Sequence, residues 1–88
     1  MTERTLTLAN ATGLHARPAT MLVQTANKFN GTNVFLKKGE KEVSGRSLLA
    51  ILSLGAGAGE TLTIRTDGPQ EKEAMEALIA LLEGGLGE

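Results

Sequence analysis

Cysteine, tryptophan and tyrosine are absent from this 88-residue chain; phenylalanine occurs twice and histidine once. Without cysteine there is no disulfide framework and no thiolate metal site. A lone histidine does not make a structural zinc site, so no metal and no cofactor are expected. The scarcity of aromatics removes the stacking platforms that single-stranded nucleic acid needs. Nine basic residues against ten acidic ones give a net charge of −1, so there is no basic footprint and no nucleic-acid partner is expected. No apolar run approaches the roughly 20 residues of a membrane span. The start, MTERTLTL, lacks the long apolar stretch of a signal peptide. The expectation is a cytoplasmic protein without direct membrane insertion, residues 1–88 forming a single domain around a modest aliphatic core.

What is present is clear periodicity. TLTLA (Thr5 to Ala9) alternates as a half-buried strand does, with Leu6 and Leu8 on one face. NATG (Asn10 to Gly13) reads as a loop. Pro18 then falls in the first turn of a helix, where proline is tolerated. Ala19, Leu22, Val23, Ala26 and Phe29 recur at helical spacing, and Asn30–Gly31 stops the helix. TNVFLK (Thr32 to Lys37) alternates with Val34 and Leu36 inward, KKGE turns, and KEVS returns as a short strand, which predicts a hairpin. Ser47 is placed to cap the helix LLAILSL, with Gly55 as its stop. ETLTIRT (Glu60 to Thr66) is a strand with Leu62 and Ile64 inward. In DGPQEKEAMEALIALLEGG, Pro69 and the acidic residues lie early, where the helix dipole favours negative charge. Ala74, Met75, Leu78, Ile79 and Leu82 form its apolar stripe, and Gly84 and Gly85 end it. The order is β-α-β-β-α-β-α. Strands with one buried and one exposed face predict an α+β fold, a largely antiparallel sheet covered by helices on one side.

His15 lies in TGLHARPAT, where the residues leave two roles open. A histidine beside a helix N-terminus can serve as a polar cap. It can also carry chemistry. Gly13 frees the preceding backbone, and Pro18 stiffens the turn that follows. The first-turn N–H groups lack intrahelical partners and form an anion site. Arg17 offers a planar fork suited to phosphate oxygens. Such positive surroundings disfavour imidazolium and leave a neutral nucleophilic ring. They would then stabilise an attached phosphoryl group, and they repel a metal cation.

GLHARPAT followed by a helix resembles the active-site segment of the HPr family, the histidine-containing phosphocarriers of the bacterial phosphoenolpyruvate:sugar phosphotransferase system. RSLLAILSLGAGAGETLTI (Arg46 to Ile64) resembles the family's second signature, and the GLGE ending is also similar. The resemblance implies an open-faced β-sandwich, a four-stranded antiparallel sheet with three helices on one face. It implies that His15 accepts a phosphoryl group at Nδ1 from enzyme I, which draws it from phosphoenolpyruvate, and passes it to a sugar-specific enzyme IIA. Arg17 would match the arginine that assists. The protein would then be a stoichiometric carrier rather than an enzyme, needing no cofactor and nothing beyond a monomer.

Ser47 carries two compatible readings. As a cap it is worth roughly 1 kcal/mol. The family resemblance adds phosphorylation by an ATP-dependent HPr kinase, whose product slows carrier traffic and binds a transcriptional regulator. A phosphate at a helix start is well placed, and it adds about −1.5 to −2 units of charge. Leu48, Leu49 and Leu52 cannot all enter one core stripe, so at least one faces outward. The resemblance assigns Leu48 and Leu52 to partner binding. The segment from the first helix to Ser47 is one residue longer than the commonest family spacing, which leaves the hairpin register open. GAGAGE (Gly55 to Glu60) follows a helix and precedes a strand, the reverse of a nucleotide loop, and reads as a helix stop with a flexible loop. The rival function is a regulatory binding module that signals through the Ser47-phosphorylated form without a dominant role in sugar transport. An unrelated small α+β domain is the third reading.

Overall fold

The strand at the centre of the sheet is the most regularly patterned. In β4 (Thr61–Asp67), Leu62, Ile64 and Thr66 are wholly buried, while the residues between them face the other way. The computed structural model describes residues 1–8, 16–55, 57 and 59–83, with the main chain alone of 16 and 17. In it β1 (Thr2–Thr7) and β2 (Asn33–Lys38) flank β4, both antiparallel to it, and β3 (Lys41–Ser44) pairs with β2. The strand order is β1-β4-β2-β3. The hairpin register left open by the sequence is Lys38 opposite Lys41, closed by Gly39 and Glu40.

Three helices cover one face of the sheet: α1 (Ala16–Ala26), α2 (Leu48–Ser53) and α3 (Glu71–Glu83). Leu22 of α1, Ile51 of α2, and Leu78 and Leu82 of α3 meet Val34, Leu36, Leu62 and Ile64 in one buried cluster. Full burial of such a side chain stabilises the fold by about 1.5–3 kcal/mol. This is the open-faced α+β sandwich expected from the sequence. On the uncovered face the Thr5 and Thr63 hydroxyls meet at 2.9 Å. There Arg65 stacks 4.6 Å from the Phe35 ring centroid and donates to Glu42 at 2.8 Å.

The boundaries depart from the sequence pattern where another element decides them. The first strand was expected from Thr5 but begins at Thr2, because β4 offers partners from Thr2–Thr66 onward. Leu8 lies past its end, 2% exposed, donating to the Glu60 carbonyl at 2.9 Å and accepting from the Gly59 N–H at 3.1 Å. The last residue of that expected strand, Ala9, and the loop Asn10 to Gly13 lie outside the described residues, as do Gly84 and Gly85. The first helix ends at Ala26, so Phe29 lies in the following turn and not in the helical stripe.

The last helix starts at Glu71, two residues after Pro69. The reason is the junction with Thr32. Gly68 adopts φ 149, and a Cβ there would come within 2.7 Å of Thr32 Cα and 2.8 Å of the Gly31 carbonyl. Only glycine lets the two turns touch. The buried Thr32 hydroxyl then accepts from the Gln70 N–H at 3.0 Å, and the buried Thr66 hydroxyl donates to the Glu71 carbonyl at 2.8 Å. Both buried hydroxyls are therefore satisfied, as such groups must be.

Glu71, in the first turn of α3, accepts from the Thr2 hydroxyl at 2.7 Å and from the Met1 ammonium at 3.1 Å. The Thr2 hydrogen bond first, then the ammonium, hold its carboxyl down to about 2 from an ordinary 4.5. Between those values the unfolded chain binds more protons than the folded one, so stability rises with pH across that window. The contribution is complete above pH 4.5 and is lost as pH falls through about 2. In urea titrations, Glu71→Gln should flatten the fall of the unfolding midpoint across this window; a slope equal to wild type refutes the assignment.

Candidate functional site

His15 lies outside the described residues, and so does the side chain of Arg17. What the structure places is the helix that follows His15 and carries the Arg17 main chain. α1 begins at Ala16, the residue after His15, and Pro18 falls in its first turn as expected. Pro18 is buried, and Ala19 and Leu22 run inward from it, so this turn is seated on the core. The first-turn N–H groups of any α-helix lack intrahelical acceptors, and here no acidic side chain occupies that turn.

Ser47 is the N-cap of α2. Its backbone is extended, with φ −109 and ψ 109, and its hydroxyl accepts from the Ala50 N–H at 3.3 Å. Ser44 prepares this geometry: its hydroxyl accepts from the Arg46 N–H at 3.1 Å and its carbonyl from the Ser47 N–H at 3.3 Å. α2 has only six residues, far below the roughly 12–15 at which an isolated helix begins to hold. Its far end is secured by the hairpin. Lys41 donates to the Ser53 carbonyl at 3.1 Å, and Lys38 to the Gly55 carbonyl at 3.1 Å. Gly55, at φ 63, stops the helix as expected. Lys38 also pairs with Glu60 at 2.7 Å, and that hydrogen bond, helped by the Gly57 N–H, lowers the Glu60 carboxyl below its ordinary range.

The leucines of α2 divide sharply. Ile51 and Leu54 face the core, and Leu52 is partly buried against it. Leu48 is 36% exposed and Leu49 is 80% exposed. The most accessible of them is thus Leu49, which sequence reasoning did not single out as a contact residue. The signal was available: Ile51 and Leu54 define the inward stripe, and a residue two positions before Ile51 points away from it.

Arg46 was also passed over. Its Nη2 lies 3.0 Å from the Ala26 carbonyl, 2.7 Å from that of Phe29 and 2.7 Å from that of Thr32. One guanidinium nitrogen has two hydrogens, so three acceptors share them. The clamp ties the end of α1 to the residue before the Ser47 cap. Its signal was a lone charge: Arg46 is the only ionisable side chain between Glu42 and Glu60. Among the described residues there is no metal-ligating cluster, and no helix is long and apolar enough to cross a membrane.

The comparisons with known proteins agree with one another. Residues 2–84 match the family model described as the PTS HPr component phosphorylation site. An HPr-like protein Crh from Halalkalibacterium halodurans is 45% identical over 94% of this chain and 98% of its own length. Phosphocarrier protein HPr from Cupriavidus necator is 41% identical over 100% of this chain and 98% of its own. Among solved structures, HPr-C-His from Thermoanaerobacter tengcongensis superposes with a TM-score of 0.95 at 42% identity, covering 100% of this chain and 98% of that one. An HPr dimer from the same organism gives 0.79 at 42% identity, with 100% of each chain covered. With the sheet order, the helix that begins after His15 and the capped α2 already established, the chain belongs to the HPr family, phosphocarriers of the bacterial phosphotransferase system.

Proposed function

We propose that this chain accepts a phosphoryl group on His15 from phospho-enzyme I, charged by phosphoenolpyruvate, and delivers it to a sugar-specific enzyme IIA. The observation that carries this is the placement of His15 immediately before Ala16, the first residue of α1, in a chain matching the family model over residues 2–84. The lone pair of Nδ1 forms the new N–P bond while the bond to the donor breaks and its electron pair stays with enzyme I. Arg17 and the first-turn N–H groups receive the phosphoryl oxygens. No catalyst is regenerated within the chain: each molecule takes one group and passes it on.

His15, Arg17 and Pro18 are all present, which favours the carrier over a purely regulatory module that has no use for the histidine. One relative is nevertheless named HPr-like, so regulation through Ser47 is kept as a second role of the same molecule. In that step an ATP-dependent kinase breaks the Ser47 O–H bond and forms an O–P bond; ADP leaves and the proton goes to solvent. A relative is also known as a dimer, and the monomer expected from the sequence is part of the proposal on the same footing as its cytoplasmic location.

Mixing the protein with enzyme I and phosphoenolpyruvate should add one acid-labile phosphate, a gain of about 80 Da by mass spectrometry. No gain, or a gain that survives His15→Ala, sinks the carrier reading. HPr kinase with ATP should label wild type at a position lost in Ser47→Ala, a variant that also gives up about 1 kcal/mol of stability with its cap. Labelling that persists in Ser47→Ala removes the regulatory role. Docking through α2 predicts a split between its leucines. Leu49→Ala should slow transfer from enzyme I with unfolding changed by less than about 0.5 kcal/mol. Leu52→Ala, partly buried, should lose stability measurably. Equal transfer rates for wild type and Leu49→Ala would remove Leu49 from the docking surface.

A further inference from the structure

Arg46 carries a full charge that no carboxylate among the described residues pairs with. Its partners are three neutral carbonyls sharing the hydrogens of one nitrogen, Nη2, at 2.7–3.0 Å. The side chain is only half-buried, so it is free to leave without stripping the core. Ser47, the next residue, is half-buried too, and its hydroxyl has one backbone donor, the Ala50 N–H at 3.3 Å. The six residues of α2, LLAILS, include no cation to pair with a dianion at its start. A phosphate placed on Ser47 therefore needs a cation, and Arg46, the adjacent residue, pairs with no carboxylate among the described residues.

We infer that a phosphate on Ser47 takes Arg46 as its counter-ion, drawing the guanidinium off the Ala26, Phe29 and Thr32 carbonyls and loosening the turn that ends α1. The inference rests on the reading of Ser47 as a phosphorylation site. Charge-assisted bonds are roughly twice as strong as neutral ones, and the planar guanidinium fork matches two phosphate oxygens at once. When Arg46 leaves, the Ala26 and Phe29 carbonyls keep only the Phe29 and Thr32 N–H groups, each at 3.2 Å. Those amides are the first to exchange. Modification at Ser47 thereby reaches the helix that begins beside His15 through the fold, in addition to changing surface charge.

The test uses full-length protein carrying phosphoserine at position 47, installed by chemical ligation so that no kinase has to act. Amide hydrogen exchange read by NMR should speed up at Phe29 and Thr32 by about tenfold or more on phosphorylation, with Ile64 unchanged. Unmodified Arg46→Met should already show the faster exchange, and phosphorylation should add nothing to it. A phosphorus-31 titration should give a lower second phosphate pKa in wild type than in Arg46→Met. If Arg46→Met does not fold, Arg46→Lys serves, keeping the charge without the fork and giving intermediate values in both measurements. Unchanged exchange at Phe29 and Thr32 after phosphorylation, or one phosphate pKa common to wild type and the Arg46 variant, overturns the inference. Failure of HPr kinase to label Ser47 leaves both readouts intact and counts against the Ser47 reading alone.

Discussion

A single guanidinium nitrogen holds the corner of this fold. The end of α1 exposes carbonyls with no intrahelical donors, and the chain must then turn sharply through Thr32 into β2. Arg46 donates to Thr32 and adds a second donor to the Ala26 and Phe29 carbonyls, which otherwise accept only the long Phe29 and Thr32 N–H bonds. A hydrogen bond to a charged group contributes about 1.5–3 kcal/mol, less where water competes, as it does at this half-buried site. Because Arg46 directly precedes the Ser47 cap, fixing its side chain also fixes where α2 starts. Thr32, held from one side by Arg46, is held from the other by the Gln70 N–H and the close approach of Gly68. The starts of α2 and α3 are thus both referred to the turn that follows α1.

How much of this was legible follows from the range of each interaction. Alternation in β4 and the stripe in α3 are local patterns, and both were readable with nearly correct limits. The cap and stop of α2, Ser47 and Gly55, were readable too, but the starts of β1 and α3 were not, because they depend on distant partners. β1 extends back to Thr2 only because Thr66 lies opposite. The helix beginning at Glu71 rather than Pro69 depends on Thr32, 38 residues from Gln70. For the site, the proposed anion chemistry of His15 and Arg17 rests on residue type and order, and the structure adds only the helix that starts at Ala16. Arg46 was visible only as an isolated charge, and its acceptors lie 14 to 20 residues away.

The leucines show the same limit on one helix turn. Their spacing required that one face outward; the resemblance pointed to Leu48 and Leu52, while the orientation of α2 exposes Leu49 most. Ile51 and Leu54 settle the orientation, and it turns Leu49 outward. An outward leucine adds nothing to the core, which is why Leu49 serves as the docking probe proposed above. For the proposed carrier role, a shallow apolar surface on α2 stays open to two unlike partners, which a closed pocket would not.

Charges at the helix ends then separate structure from function. The α1 C-terminus takes Arg46, the α2 C-terminus takes Lys38 and Lys41, and the first turn of α3 holds Glu71 and Glu73. In each case a side chain of the sign the dipole favours is supplied by the chain itself. The first turns of α1 and α2 contain no acidic residue. A carboxylate at either place would be favoured by the dipole, but it would repel an incoming phosphate by like charge. Leaving both positions free of acid costs a little stability and suits the phosphates proposed for His15 and Ser47. They are the helix starts that follow His15 and Ser47, the two positions read here as carrying phosphate, so the missing acids follow the same rule as the ones present.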